Sequence, residues 1–329
     1  MGVLEALPQD VVSLLRNRDE ERRRELQELT KANPGVARAF SSVIYEYYTW
    51  IERLKQGKPI TVAFFGGSRD VHRKVAEAAS EWMGAGNVPL DFGLDSQTGE
   101  YRRWSPTDLA YTGDIRISFV LPGYWSRIGT DSISESCPPG MASMNFEGFD
   151  QRLPDDYAGT VLHEFGHALG FGHEHQNPLG DCESQFLWED ECGPDGLITR
   201  YGIYTTLALA PNYWCRYKVD ENMRRLPYFD GLVLAPFDAE SVMMYSFPQE
   251  QFVNPDASPS QLTCQTAKNM HLSRGDREGV NKFYPKDTGT LRNLLHAAAK
   301  NLKELKDEPT LSPNALRKVH ERLDSLRIK

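Results

Sequence analysis

Residues 163–175 read HEFGHALGFGHEH, four histidines and two glutamates in a glycine-spaced stretch. His163 and His167 are four residues apart. On a helix they share one face, one turn apart, so both imidazoles can reach a single ion. Glu164 stands beside the first of them, placed to accept a proton from a water the ion activates without being a ligand itself. A third ligand on the same straight helix would point away, so the chain must turn. Gly170 can adopt the positive φ that a helix C-terminus often requires. His173 then returns toward the ion from the loop. Three neutral imidazoles with an open fourth position are the donor set of a catalytic zinc site. Spacing favours His173 over His175 as the third ligand. His175 reads either as a group behind the ligands or as an exposed residue. The bland alternative is a histidine-rich surface helix, and the full HExxHxxGxxH spacing argues against it.

These side chains need a scaffold. Asp155 or Asp156 can cap a helix that buries Ala158, Val161, Leu162, Phe165 and Leu169. Upstream, ITVAFFGG is rich in β-branched and aromatic residues and stops at a glycine pair, as a strand does. RDVHRKVAEAASEWMG follows as an amphipathic helix ended by Gly84, and VPLDFG and DIRISFV read as short strands. That order favours a mixed sheet with a helix on one face. Residues 8–57 read as two helices separated by Asn33-Pro34-Gly35. The second has apolar positions at Val36, Phe40, Val43, Tyr47, Trp50 and Leu54. Residues 177–237 are turn-rich and are expected to carry short elements. After Pro285 come two amphipathic helices, the last opening at Ser312-Pro313 with a stripe of Leu316, Val319, Leu323 and Leu326. The terminal helices are expected to pack on the central domain.

The 329 residues are 40% hydrophobic and 11% aromatic, enough for a sizeable core, and the net charge of -9 offers no basic face for nucleic acid. No apolar run reaches membrane-spanning length. The first residues, MGVLEALPQDVVSLLRNRDEERRREL, lack the basic and apolar regions of a secretory signal. The five cysteines include no CxxC pair. Cys182 and Cys192 are near enough in sequence to close a short loop in an oxidising compartment, and buried free thiols are an equal alternative. Glu189, Asp190 and Glu191 read as a solvated acidic turn rather than a calcium site.

HEFGHALGFGH resembles the metzincin zinc peptidases. Glu174 and the HQNP that follows resemble the astacin-like branch and its microbial relatives. Further on, FDAESVMMYSF is similar to a methionine turn. Its Ser241-Val242-Met243-Met244-Tyr245 matches the astacin pattern except at Met244, where astacins usually carry histidine. LSRGDREGVNKFYP is similar to the helical segment after that turn.

The resemblance implies an α+β fold: a metzincin-like zinc peptidase domain with a twisted mixed sheet, an active-site helix and a methionine turn, flanked by N- and C-terminal helices. It covers residues 58–285, leaving 1–57 and 286–329 as helical extensions. It implies one catalytic Zn2+ held by His163, His167 and His173, with Glu164 as general base. Met243 would form an apolar floor, and Tyr245 would be a switchable fifth ligand whose phenol serves the oxyanion. YWSRIGTDS and ASMNF lie where such enzymes place the loop and edge strand beside the cleft. The edge strand binds substrate as an added antiparallel strand, which makes Ser143, Met144 and Asn145 the substrate-binding candidates. Glu174 matches the glutamate that holds a freed N-terminus in mature astacins. The implied function is a zinc-dependent endopeptidase acting on protein or peptide, in an extracellular setting. With no signal sequence at the start of the chain, a cytoplasmic protein or a delivered effector stays open. The alternative is a zinc-containing inactive relative that acts as a protein-binding module, against which the intact Glu164 argues. Neither nucleic acid nor membrane is an expected partner, and the sequence does not specify an oligomeric state.

Overall fold

Alternation builds the first strand. In β1 (Ile60–Phe64) the side chains of Ile60, Val62 and Phe64 enter the main core, while Ala63 faces a small group of its own with Trp104, Trp125 and Ala142. A strand covered on both faces reads as a near-continuous apolar run, as ITVAF does. The chain is seen here in a computed structural model that describes residues 49–177, 180–210, 212–225, 237–258, 261–287 and 289.

After β1 comes helix α2 (Arg69–Ala85), following a short α1 (Ile51–Lys55). Ser68 caps α2 through Val71 N, and the stripe Val71, Val75, Ala79 and Trp82 is buried. The helix runs one residue past the expected stop at Gly84 and is capped at Gly86. Four more strands follow: β2 (Leu90–Asp91), β3 (Ile115–Ser118), β4 (Tyr124–Ser126) and β5 (Met144–Phe146). The sheet order is β2-β1-β3-β5-β4. All pairings are parallel except β4 with β5, in register at Ser126 opposite Met144. Helix α3 (Tyr157–Ala168) packs against α2, and Trp82 Nε1 donates to Leu162 O at 2.9 Å. The fold is α+β, with a twisted, mostly parallel sheet and helices packed on it.

The turn-rich stretch does hold short elements: α4 (Cys182–Gln185), a hairpin of β6 (Glu191–Cys192) and β7 (Ile198–Arg200), α5 (Ile203–Ala208) and α6 (Arg216–Met223). They surround a second apolar cluster that includes Phe186, Leu207, Trp214, Val219 and Phe252. Cys182 is bonded to Cys264, 82 residues on, and not to Cys192, whose thiol is exposed. A pairing set by three-dimensional proximity overrides nearness in sequence here. The acidic turn is occupied by the chain itself. Glu189 pairs with Arg216 and Glu191 with Arg200, while Asp190 accepts from Gly202 N and Thr205 Oγ1.

Helix α7 (Arg274–Phe283) lies against α2 through Val280 and through Asn281 Nδ2, which donates to Ala85 O at 2.6 Å. The packed body begins before residue 58. Trp50 and Leu54 belong to the main core, and Trp50 Nε1 donates to Ala168 O at 2.8 Å. A boundary at 57/58 therefore cuts through packed side chains. The first N-terminal helix, most of the second, and the helices expected after Pro285 lie outside the described residues. Among the described residues no helix is long and apolar enough to cross a membrane.

Candidate metal centre

Helix α3 carries His163, Glu164 and His167. Val161, Leu162, Phe165 and Leu169 are buried on its core side as expected, and Ala158 is half-buried. Asp156 stands at the N-cap position, but its carboxylate accepts from Lys268 Nζ rather than from the helix backbone. Beyond the last turn Gly170 has φ +101°, a backbone that a side chain would strain. Gly170 N donates to His167 O and Phe171 N to Gly166 O, closing the helix and sending the chain back. That reversal brings His173 to the first two histidines. His167 Nε2 and His173 Nε2 are 3.1 Å apart, and one nitrogen from each of the three rings falls within 4.8 Å of the others.

The donor set fits zinc. Tetrahedral coordination at Zn–N distances of about 2.0–2.1 Å separates the nitrogens by about 3.3 Å. His163 Nδ1 lies 2.8 Å from Val242 O, and His167 Nδ1 lies 2.8 Å from Phe171 O. A bond to a carbonyl oxygen requires the nitrogen to carry the proton, so each ring turns its Nε2 lone pair to the centre. Glu164, on the same helix, is 2% exposed.

The methionine turn forms the other wall. A Cβ at Gly166 would come within 2.2 Å of Met243 Sδ, so the glycine lets the methionine approach the helix. Glu174 N donates to Met243 O at 2.9 Å, which ties the segment after His173 to the same turn. The turn is also the seam of the molecule: Val242 and Met243 belong to the main core, Met244 and Tyr245 to the second. Tyr245 lies between two imidazoles, with ring centroids 5.6 Å from His163 and 4.7 Å from His175. Its ring is 4.2 Å from that of His173.

His175 is buried behind Tyr245, and its Nε2 donates to Asn222 O on α6 at 2.8 Å. Burial and the neighbouring His173 hold its pKa well below the ordinary histidine value, so the ring is neutral. Glu174 accepts from Asn177 Nδ2 and Asp238 N. Burial pushes its carboxyl up to about 7, against those two donors, with Asp238 and Asp276 pushing the same way as burial.

The substrate-binding candidates on ASMNF need correction. Strand β5 is not the edge of the sheet, because β4 pairs on its outer side. Ser143, Met144 and Asn145 are all buried. Ser143 Oγ accepts from Arg116 N, and Asn145 Nδ2 donates to Leu121 O and Gly123 O. The edge is β4, in the YWS of YWSRIGTDS. The sequence reading also passed over Asp276, which accepts from Ser241 Oγ and Val242 N and so anchors the methionine turn. The SRGD stretch at 273–276 carries its signal, a serine followed three residues later by an acid at a helix start.

No protein-family profile matches the chain, and no curated protein does. Among solved structures the chain is similar to myroilysin, with a TM-score of 0.52 and 29% identity over 70% of this chain and 94% of that one. A second myroilysin crystal structure gives a TM-score of 0.45 and 28% identity, over 69% of this chain and 83% of that one. High choriolytic enzyme 1, a hatching enzyme zinc-protease from the medaka fish Oryzias latipes, gives 0.39 and 19%, over 68% and 88%. The chain thus resembles myroilysin in fold and closes an HExxHxxGxxH helix over a buried methionine, the arrangement that the resemblance to astacin-like metzincins implies.

Proposed function

We propose that the chain is a zinc-dependent endopeptidase that hydrolyses protein or peptide substrates with one catalytic zinc ion. The observation that carries this is the convergence of one nitrogen from each of His163, His167 and His173, two of the rings already oriented by backbone carbonyls. When bound, zinc polarises the scissile carbonyl and lowers the pKa of a water toward about 7. Glu164 takes the proton released in the attack and delivers it to the leaving amine. Tyr245 donates its phenol hydrogen to the oxyanion. The outer side of β4 ends the sheet, and an extended peptide adds there as a further antiparallel strand. The Cys182–Cys264 bond supports an oxidising, extracellular setting.

The test is digestion of a proteome-derived peptide library, read by mass spectrometry with and without a zinc chelator. Cleavages confined to the untreated sample are expected, and their flanking residues define specificity. Zinc-loaded protein that cleaves nothing would overturn the proposal. Replacing Tyr245 with Phe is expected to lower kcat roughly 10²-fold and to change KM far less, because the phenol acts mainly in the transition state. An unchanged kcat removes Tyr245 from the mechanism.

A further inference from the structure

We propose that Asp276, Ser241 and the peptide unit joining Val242 to Met243 form a hydrogen-bonded relay that positions His163 and sets its strength as a metal ligand. The inference rests on the zinc-peptidase reading and concerns residues that touch neither metal nor substrate.

The relay runs in one direction. His163 Nδ1 donates to Val242 O at 2.8 Å. The N–H of that same peptide unit, Met243 N, donates to Ser241 Oγ at 3.0 Å. Ser241 Oγ in turn donates to Asp276 Oδ1 at 2.6 Å. Every bond points toward the carboxylate, so each polarises the next. Ser241, Val242, Met243 and Asp276 are all buried, and a low local dielectric strengthens the sequence further. A carboxylate that draws the peptide dipole toward itself makes Val242 O a better acceptor. A better acceptor at Nδ1–H leaves more electron density at Nε2, the ligand atom. Metal-binding histidines often donate directly to a carboxylate to this end. Here one peptide group and one hydroxyl intervene.

The carboxylate cannot swing away. Its second oxygen accepts two backbone donors, Val242 N at 2.8 Å and Ser273 N at 2.9 Å. The carboxylate also sits in the first turn of α7, where the helix dipole favours an acceptor. His167 is held differently, by Phe171 O four residues along its own chain. The relay therefore reaches His163 and not His167.

Ser241→Ala breaks the relay and leaves the other bonds of Asp276 in place. Ser273→Ala is the matched control. That hydroxyl also accepts one bond and donates one, to Asp238 Oδ2, but it lies outside the relay. Three quantities are read: the zinc dissociation constant by competition with a chromophoric chelator, the visible spectrum of the cobalt-substituted protein, and thermal unfolding of the chelator-stripped protein. Ser241→Ala is expected to weaken zinc binding roughly tenfold, at the low end of the loss seen for direct outer partners, and to shift the cobalt bands. Ser241→Cys, of similar size with a weaker donor, is expected to do the same to a smaller degree, and it decides the matter if the alanine variant does not fold. Ser273→Ala is expected to lower the unfolding temperature while leaving affinity and spectrum unchanged. The relay is overturned if the Ser241 variants keep the parent's affinity and spectrum, or if Ser273→Ala weakens zinc equally. An unmodified chain that takes up no zinc overturns the zinc reading itself, and the relay with it.

Discussion

Glu164→Gln is expected to bind one zinc per chain as the parent does and to lose turnover by roughly 10²–10⁴-fold, the usual contribution of a positioned acid-base group. That loss corresponds to about 3–5 kcal/mol in the activation barrier. The substitution separates two roles cleanly. Glutamine has nearly the same volume, so the buried site on α3 stays filled. Its amide cannot take up the proton. The three imidazoles are untouched, so metal content measured by chelator titration should not change. A glutamine variant with near-parental kcat would sink the assignment of Glu164 as base. Loss of zinc in the same variant would show that the carboxylate helps to hold the ion instead.

Removing the Cys182–Cys264 bond is expected to have the largest effect on stability. The cysteines are 82 residues apart in sequence. Loop-closure entropy for such a length is worth about 4–5 kcal/mol. A domain's whole margin is about 5–15 kcal/mol. A Cys182→Ala, Cys264→Ala double variant should therefore unfold about 10 °C lower. The effect should be local at first. Cys182 and Cys264 sit in the second apolar cluster with Phe186, Trp214 and Phe252, and Met244 and Tyr245 belong to that cluster too. Hydrogen exchange in α4, α5 and α6 should rise before exchange in the sheet. Turnover should fall with it, because the support of Tyr245 loosens. An unchanged unfolding temperature would contradict the entropy argument.

The convergence of the three histidines was legible because its information is local. His163, Glu164 and His167 share one helix, and Gly170 dictates the reversal that returns His173. β1, β3 and α2 were legible for a similar reason, since their residue types and periodicities fall within single elements. What escaped was non-local. Nothing in ASMNF says that YWS pairs on its outer side, so an interior strand passed for an edge. Nearness in sequence suggested Cys192 as partner of Cys182, whereas the fold supplies Cys264. Trp50 reads as one more apolar position on a helix, yet it reaches the end of α3. Asp276 belongs to a capping pattern that a reader can spot, but its hold on Ser241, 35 residues earlier, exists only after folding.

Trp50 and Tyr284 bear on how this unit can be handled as a module. Trp50 N donates to Tyr284 Oη at 3.3 Å, and Tyr284 Oη donates to Leu169 O at 2.6 Å. The first and last described elements thus meet at one corner, on the side of the α3 end. A unit whose two ends adjoin can be grafted as a cassette into a loop of another protein, or have its ends spliced and new ones opened elsewhere. The cut has to respect the corner. A fragment trimmed to begin at Lys58 forfeits the indole that holds Ala168 O, directly after the helical turn that carries His167.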